Sequence, residues 1–129
     1  MIVLVARELM ITMRVQGLLR NVGADLLALE PDAVAIPARL AALQPRVVLL
    51  DLTVPEEVRV ACLAAAQAAG AAVIAFGPHE DAAALVQARR LGASDVVARG
   101  ALGHALVPLV AKHLARRPSP PDMPPGPGS

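Results

Sequence analysis

Tryptophan and tyrosine are missing from this chain, and phenylalanine occurs once, at Phe76. A core must therefore be assembled from leucine, valine, isoleucine and alanine, and with 56% hydrophobic residues there is enough of them. The same shortage leaves no aromatic platform for stacking bases. With a formal net charge of +1 and no basic run, nucleic acid is not expected as a partner. Cysteine also occurs once, at Cys62, which excludes an intramolecular disulfide and fits a reducing compartment. Cys62 is expected to sit inert inside a helix.

Several catalytic signatures are absent too. There is no Gly-x-Gly-x-x-Gly, no Walker loop and no nucleophile elbow, and Ala6-Arg7-Glu8-Leu9-Met10 after the first apolar run offers no glycine-rich phosphate cradle. A nucleotide or flavin enzyme is therefore not expected, and the chain reads as a non-enzyme. His79, His104 and His113 are too far apart in sequence to form a recognisable metal-ligand motif. The charge-free stretch from Val60 to Pro78 is rich in alanine and interrupted by Gln67 and Gly70. That composition inserts weakly into a bilayer and fits a helix, a glycine stop and a buried strand, so no membrane partner is expected. Met1 to Val5 is too short for a signal peptide, and the cytoplasm is the expected location.

Half of the 12 prolines fall in the last dozen residues, Pro118 to Ser129. Such a segment lacks apolar mass and backbone donors, and reads as an extended, disordered tail over 118–129. The remaining residues, 1–117, suffice for one domain. Within them short apolar runs alternate with segments of helical character. Ile2–Val5, Asp25–Leu29, Val47–Leu50, Ala72–Phe76 and Asp95–Ala98 read as strands, several of them continuously apolar, as a parallel sheet covered on both faces requires.

The first helix is expected from Leu9 to Val22, with Ile11, Val15, Leu18, Leu19 and Val22 as its apolar stripe and Gly23 as its C′ residue. Met10 and Met13 are expected to pack. A second helix runs from Ala38 to Leu43, with Pro37 in its first turn. The third is expected to open with a Thr53/Glu56 capping box around Pro55 and to end at Gly70. The fourth starts near Glu80-Asp81 and stops at Gly92. The fifth covers Leu102 to Arg116 and is expected to kink at Pro108. Alternation of this kind predicts right-handed crossovers and a doubly wound, three-layer α/β domain.

Asp51 stands at the C-terminal end of the third strand, the edge where open α/β sheets gather their chemistry. Its neighbours at that edge are Ala6-Arg7, Gly77 and Arg99. Asp51-Leu52-Thr53-Val54-Pro55 resembles the phosphoacceptor strand end of response-regulator receiver domains, with their Asp-x-x-x-Pro spacing. Gly23 falls where those domains close their first helix. Gly92-Ala93-Ser94-Asp95-Val96-Val97-Ala98-Arg99 is similar to their Gly-Ala-Asp-Asp-Tyr-x-x-Lys segment. The resemblance spans Met1 to about Arg116 and implies a flavodoxin-like (βα)₅ three-layer sandwich with a parallel sheet of order 2-1-3-4-5.

The departures from the pattern bear on function. Receivers carry two carboxylates after the first strand to hold Mg²⁺; here Ala6 and Arg7 stand there, with Glu8 one position on. The phosphoryl-binding Thr or Ser is replaced by Gly77, the lysine by Arg99, and the proline after it by Gly100. Asp51 alone is a poor cage for Mg²⁺, Arg7 beside it would repel the ion, and no cofactor is expected. The resemblance thus implies a degenerate, stand-alone pseudo-receiver: a phosphorylation-independent signalling and protein-interaction module in a two-component-like pathway. Two alternatives stay open at this point. One is a working receiver phosphorylated on Asp51 with an atypical metal site using Glu8; the other is a small-anion sensor at the Arg7/Arg99 edge. In the family, the fourth helix, fifth strand and fifth helix often form the contact face. Here that face would include Leu85, Val86, Arg89, Arg90 and Val96, and a homodimer through it is expected, with any further protein partner unspecified.

Overall fold

The computed structural model describes residues 1–116; the expected tail over 118–129 lies outside them. Among the described residues, strands β1 (Ile2–Val5), β2 (Leu26–Leu29), β3 (Val47–Asp51), β4 (Ala72–Gly77) and β5 (Asp95–Ala98) form one parallel sheet of order β2-β1-β3-β4-β5. Helices α1 (Leu9–Leu18), α2 (Ile36–Leu43), α3 (Glu56–Ala68), α4 (Ala82–Arg90) and α5 (Leu102–Ala115) supply the crossovers and the final cover. This is the flavodoxin-like (βα)₅ arrangement.

Side-chain alternation along the strands divides the core in two. Val3, Val5, Val48, Leu50, Val73 and Ala75 face α2, α3 and α4, whereas Ile2, Leu4, Val47, Leu49, Ile74 and Phe76 face α1 and α5. β1 and β3 lie in the interior of the sheet and are buried along their whole length. That is why their sequences are continuously apolar. Phe76, the one aromatic residue, is fully buried on the α1/α5 side. Cys62 is buried in α3, and desolvation pushes its thiol up to about 12, so it stays protonated and inert at neutral pH.

Some local readings need correction. α1 ends at Leu18, not Val22: Gly17 weakens its last turn, and the Leu19 N–H closes on the Val15 carbonyl. Gly23 keeps a left-handed φ of 83°, but it belongs to the loop before β2 and is not the helix C′ residue. Met10 and Met13 do not pack; they are 79% and 60% exposed. The reason is angular. Ile11, Val15 and Leu19 turn toward the sheet at helical spacing, and Met10 and Met13 fall off that stripe. α2 starts earlier than expected, at Ile36, with Pro37 inside its first turn. α3 ends as expected, with Gly70 in the left-handed region at φ 73°. Asp81 caps α4 by accepting the Ala84 N–H at 3.1 Å. α5 continues on both sides of Pro108.

Candidate functional site

The end of β3 carries Asp51 on the same face as Val47 and Leu49, toward α1 and α5. Its neighbours arrive by the same alternation: Ala6 follows Ile2 and Leu4 and packs on that cluster, while Arg99 follows Asp95 and Val97. Asp51 is fully buried. A carboxylate in such a position needs partners, because burying an unpaired charge is costly.

Those partners are local. The Asp51 Oδ1 accepts the Thr53 N–H at 3.0 Å and the Thr53 hydroxyl at 2.9 Å. This is a turn in which a side-chain carboxylate replaces a backbone acceptor. The Arg99 Nη2 stands 3.7 Å from the same oxygen, an ion pair beyond hydrogen-bond range. Oδ2 of Asp51 and both Nε and Nη2 of Arg99 have no hydrogen-bond partner among the described residues. The pairing also corrects the reading of α3. Thr53 gives its hydroxyl to Asp51, so the expected capping box does not form; Pro55 occupies the N-cap without a side-chain cap.

The loop below the carboxylate is fastened from α3. Arg59 donates Nη1 to the carbonyls of Leu52 at 3.2 Å and Val54 at 3.1 Å, and Nη2 to Gln87 Oε1 of α4 at 3.4 Å. Gln87 in turn donates to Glu56 at 3.3 Å. Sequence reading missed Arg59. It lies half-buried one turn into α3, and no local motif marks it.

Gly77 is the last residue of β4, not a turn residue, and it is buried. A Cβ there would stand 3.1 Å from Leu52 Cβ. A side chain there would be tight and would need Leu52 to give by a few tenths of an ångström. Arg7 and Glu8 are both exposed at the start of α1. Glu8 is its N-cap residue without a side-chain cap bond. Among the described residues no contact pairs Arg7 with Asp51, so of the two arginines considered, only Arg99 reaches the carboxylate.

This donor set does not fit Mg²⁺. The ion requires several oxygen ligands in near-octahedral array. Here Ala6 offers none, Arg7 is cationic, and Arg99 already sets a positive charge beside Oδ1. Among the described residues no group of three His, Cys, Asp or Glu side chains is placed to hold a metal.

The expected contact face is partly internal. Leu85 and Val96 are half-buried and pack against the core cluster under α2–α4. Val86 is 57% exposed, and Arg89 and Arg90 are exposed on α4. His113 was also missed as a structural residue: it is buried and meets Asp95 Oδ2 through Nε2 at 2.5 Å, with Lys112 Nζ 3.5 Å from Oδ1. The signal was present, since His113 continues the Leu102, Leu106, Val110 stripe of α5. His104 is exposed, and His79 pairs with Glu80 at the surface.

The fold is that of response-regulator receiver domains. The chain superposes on the N-terminal signal receiver domain of a two-component system response regulator from Bacteroides fragilis with a TM-score of 0.75. The two share 24% identity over 90% of this chain and 97% of the other. The receiver domain of NtrX from Brucella abortus gives a TM-score of 0.73 at 24% identity, covering 88% of this chain and 98% of that one. The RcsB response regulator of Salmonella typhimurium matches at 0.70 with 14% identity, over 93% of this chain and 64% of its own. No protein-family model matches the sequence, and no curated protein does. No helix among the described residues is long and apolar enough to cross a membrane.

The pairing of Asp51 with Arg99 makes a double-mutant cycle informative. Arg99→Met leaves a buried carboxylate with less compensation and is expected to cost about 1–3 kcal/mol in urea unfolding. Asp51→Asn in that background is expected to recover part of the loss. Additive effects of the two substitutions would show that the pair does not interact.

Proposed function

We propose that this chain is a pseudo-receiver: a non-enzymatic signalling and protein-interaction module in a two-component-like pathway that works without phosphorylation. The observation that carries the reading is the Arg99–Asp51 ion pair at a fully buried carboxylate. Phosphoryl transfer to an aspartate relies on a divalent ion to neutralise the charge spread over the transferring oxygens. In this chain a guanidinium occupies that electrostatic role and cannot leave as an ion can. Gly77 supports the same reading, because it brings no hydroxyl to the end of β4 where receivers carry a phosphoryl-binding one. Arg99 also differs from a lysine in kind: its planar fork stays charged and is weakly hydrated, which suits a standing pair in a buried place.

No cofactor is part of the proposal. The cytoplasm is its setting, consistent with a single buried cysteine. A working receiver with Glu8 as a metal ligand is less well supported, since Glu8 is exposed at the head of α1. An anion sensor at the Arg7/Arg99 edge is likewise less well supported, since Arg99 is turned onto Asp51.

Two measurements test the proposal. Mg²⁺ titrated into the wild-type protein is expected to leave the Thr53 amide resonance without a saturable shift at millimolar concentration. The Arg7→Asp/Arg99→Lys variant, which exchanges a repelling charge for a ligand and frees Asp51, is expected to gain one. Saturable binding by the wild type, or no gain in the variant, would contradict the electrostatic argument. The second concerns assembly. The outward side of α4 offers Val86, which is 57% exposed, with Arg89 and Arg90, and a homodimer through the face built on this helix is proposed. Light scattering is expected to give the dimer mass, and Val86→Glu is expected to shift it toward monomer; a monomer at all concentrations would overturn it.

A further inference from the structure

The end of the sheet opposite Asp51 holds a cavity of about 450 Å³. It lies below β3, β4 and β5, between the loops that enter those strands and the last turn of α5. Its polar lining comes from Gln44, Arg46, Ser94, His113 and Arg116. Among the described residues that line it there is no carboxylate, so its formal charges are of one sign. The apolar part of its wall is Pro45 and the alanines around Gly70. We infer that this cavity binds a small organic anion with a phosphate or carboxylate headgroup.

The charges converge there from separate elements. Arg46 enters from the α2–β3 loop and Arg116 from the end of α5, and Arg46 Nη2 donates to the Arg116 carbonyl, which holds the two segments together. That bond uses one nitrogen of one guanidinium. The remaining N–H groups of two planar forks suit an oxyanion, which they can grip in bidentate fashion. His113, 4% exposed, forms part of the wall, and its Nδ1 has no partner among the described residues. Asp95 orients its ring from behind through Nε2. The charge of Asp95 is matched by Lys112, so it does not cancel the arginines. The Ser94 oxygen accepts the Val73 N–H at 3.2 Å, which leaves its O–H to donate.

The arrangement suits binding and not hydrolysis. No hydrogen bond joins Ser94 to His113 among the described residues, so the serine is not activated as a nucleophile. The opposing effect is the helix field. α2, α3 and α5 all end at this cavity, at Gln44, Ala69 and Arg116. Each contributes a fractional negative charge of about one half, effective only within the last turn. Diffuse attraction is therefore weak, and a headgroup must be held by directed bonds to the full charges of the two arginines. Gln44 is the one non-glycine residue among those described with a positive φ, 47°, and it sits on the rim. At about 450 Å³ the cavity falls within the range of small-molecule sites, roughly 300–1,000 Å³, and leaves room beside the headgroup for a compact apolar body.

Titration of the full chain with phenyl phosphate and with benzoate, followed by amide chemical shifts, tests the inference. At least one of the two is expected to give saturable shifts centred on Gly70, Ala71 and Ser94. Stronger binding of phenyl phosphate would identify a phosphate site, and stronger binding of benzoate a carboxylate site. Arg116→Gln is expected to weaken the better ligand about tenfold, the order of one charge-assisted hydrogen bond, while Arg39→Gln on the exposed face of α2 leaves it unchanged. Arg116 is exposed, so its substitution does not disturb the core. Absence of saturable shifts with both ligands would overturn the inference. So would shifts centred on Thr53 and Arg99, or equal weakening by both substitutions.

Discussion

A carboxylate with no solvent exposure at the end of β3 constrains everything around it. Moving such a group out of water is expensive, several kcal/mol after relaxation, and the protein must replace the lost hydration. Asp51 is compensated on one oxygen only: the Thr53 amide, the Thr53 hydroxyl and the Arg99 guanidinium all address Oδ1. The consequences spread outward from there. Thr53 is taken from the start of α3, Arg99 is drawn inward from the end of β5, and Arg59 clamps the carbonyls of the intervening loop.

Arg59 also ties that loop to its surroundings. Through Gln87 the same side chain reaches α4, the helix whose outer surface carries Val86, Arg89 and Arg90. The loop that follows the carboxylate is thus tied, through its backbone carbonyls, Arg59 and Gln87, to the helix that carries the proposed contact face. In the proposed reading this linkage holds a single arrangement, because a covalently attached cation does not come and go. The domain keeps the architecture of a receiver.

The sheet was legible in the sequence because its central strands are buried on both faces. A run such as Val47-Val48-Leu49-Leu50 has few other readings when glycine and proline punctuate its surroundings. The order 2-1-3-4-5 came from the resemblance to receivers, and the observed topology agrees with it. Local chemistry was less legible where a residue had two possible partners. Thr53 fits a capping box by spacing, but in three dimensions a buried carboxylate outcompetes a helix N-terminus for its hydroxyl. Met10 and Met13 looked like core by composition, and only the phase of the helix shows that they point away. Arg7 and Arg99 both stand at the edge of Asp51 in the sequence, but only Arg99 pairs with it. Strand alternation, which puts Ala6, Asp51 and Arg99 on one face, accounts for Arg99 but leaves Arg7 outside. His113 could have been found from the α5 stripe, whereas Arg59 and the crowding of Gly77 by Leu52 depend on loop geometry that spacing does not encode.

In the proposed reading Arg99 stands in for the metal, and Asp51 is not a phosphoacceptor. The most direct test is the intact mass of the protein after incubation with acetyl phosphate and Mg²⁺, beside an Asp51→Ala control. With Arg99 in the metal's place, the mass is expected to stay unchanged in both samples. Addition of one phosphoryl group to the wild type, absent from the control, would mean that the buried carboxylate reacts despite its guanidinium, and would contradict that reading.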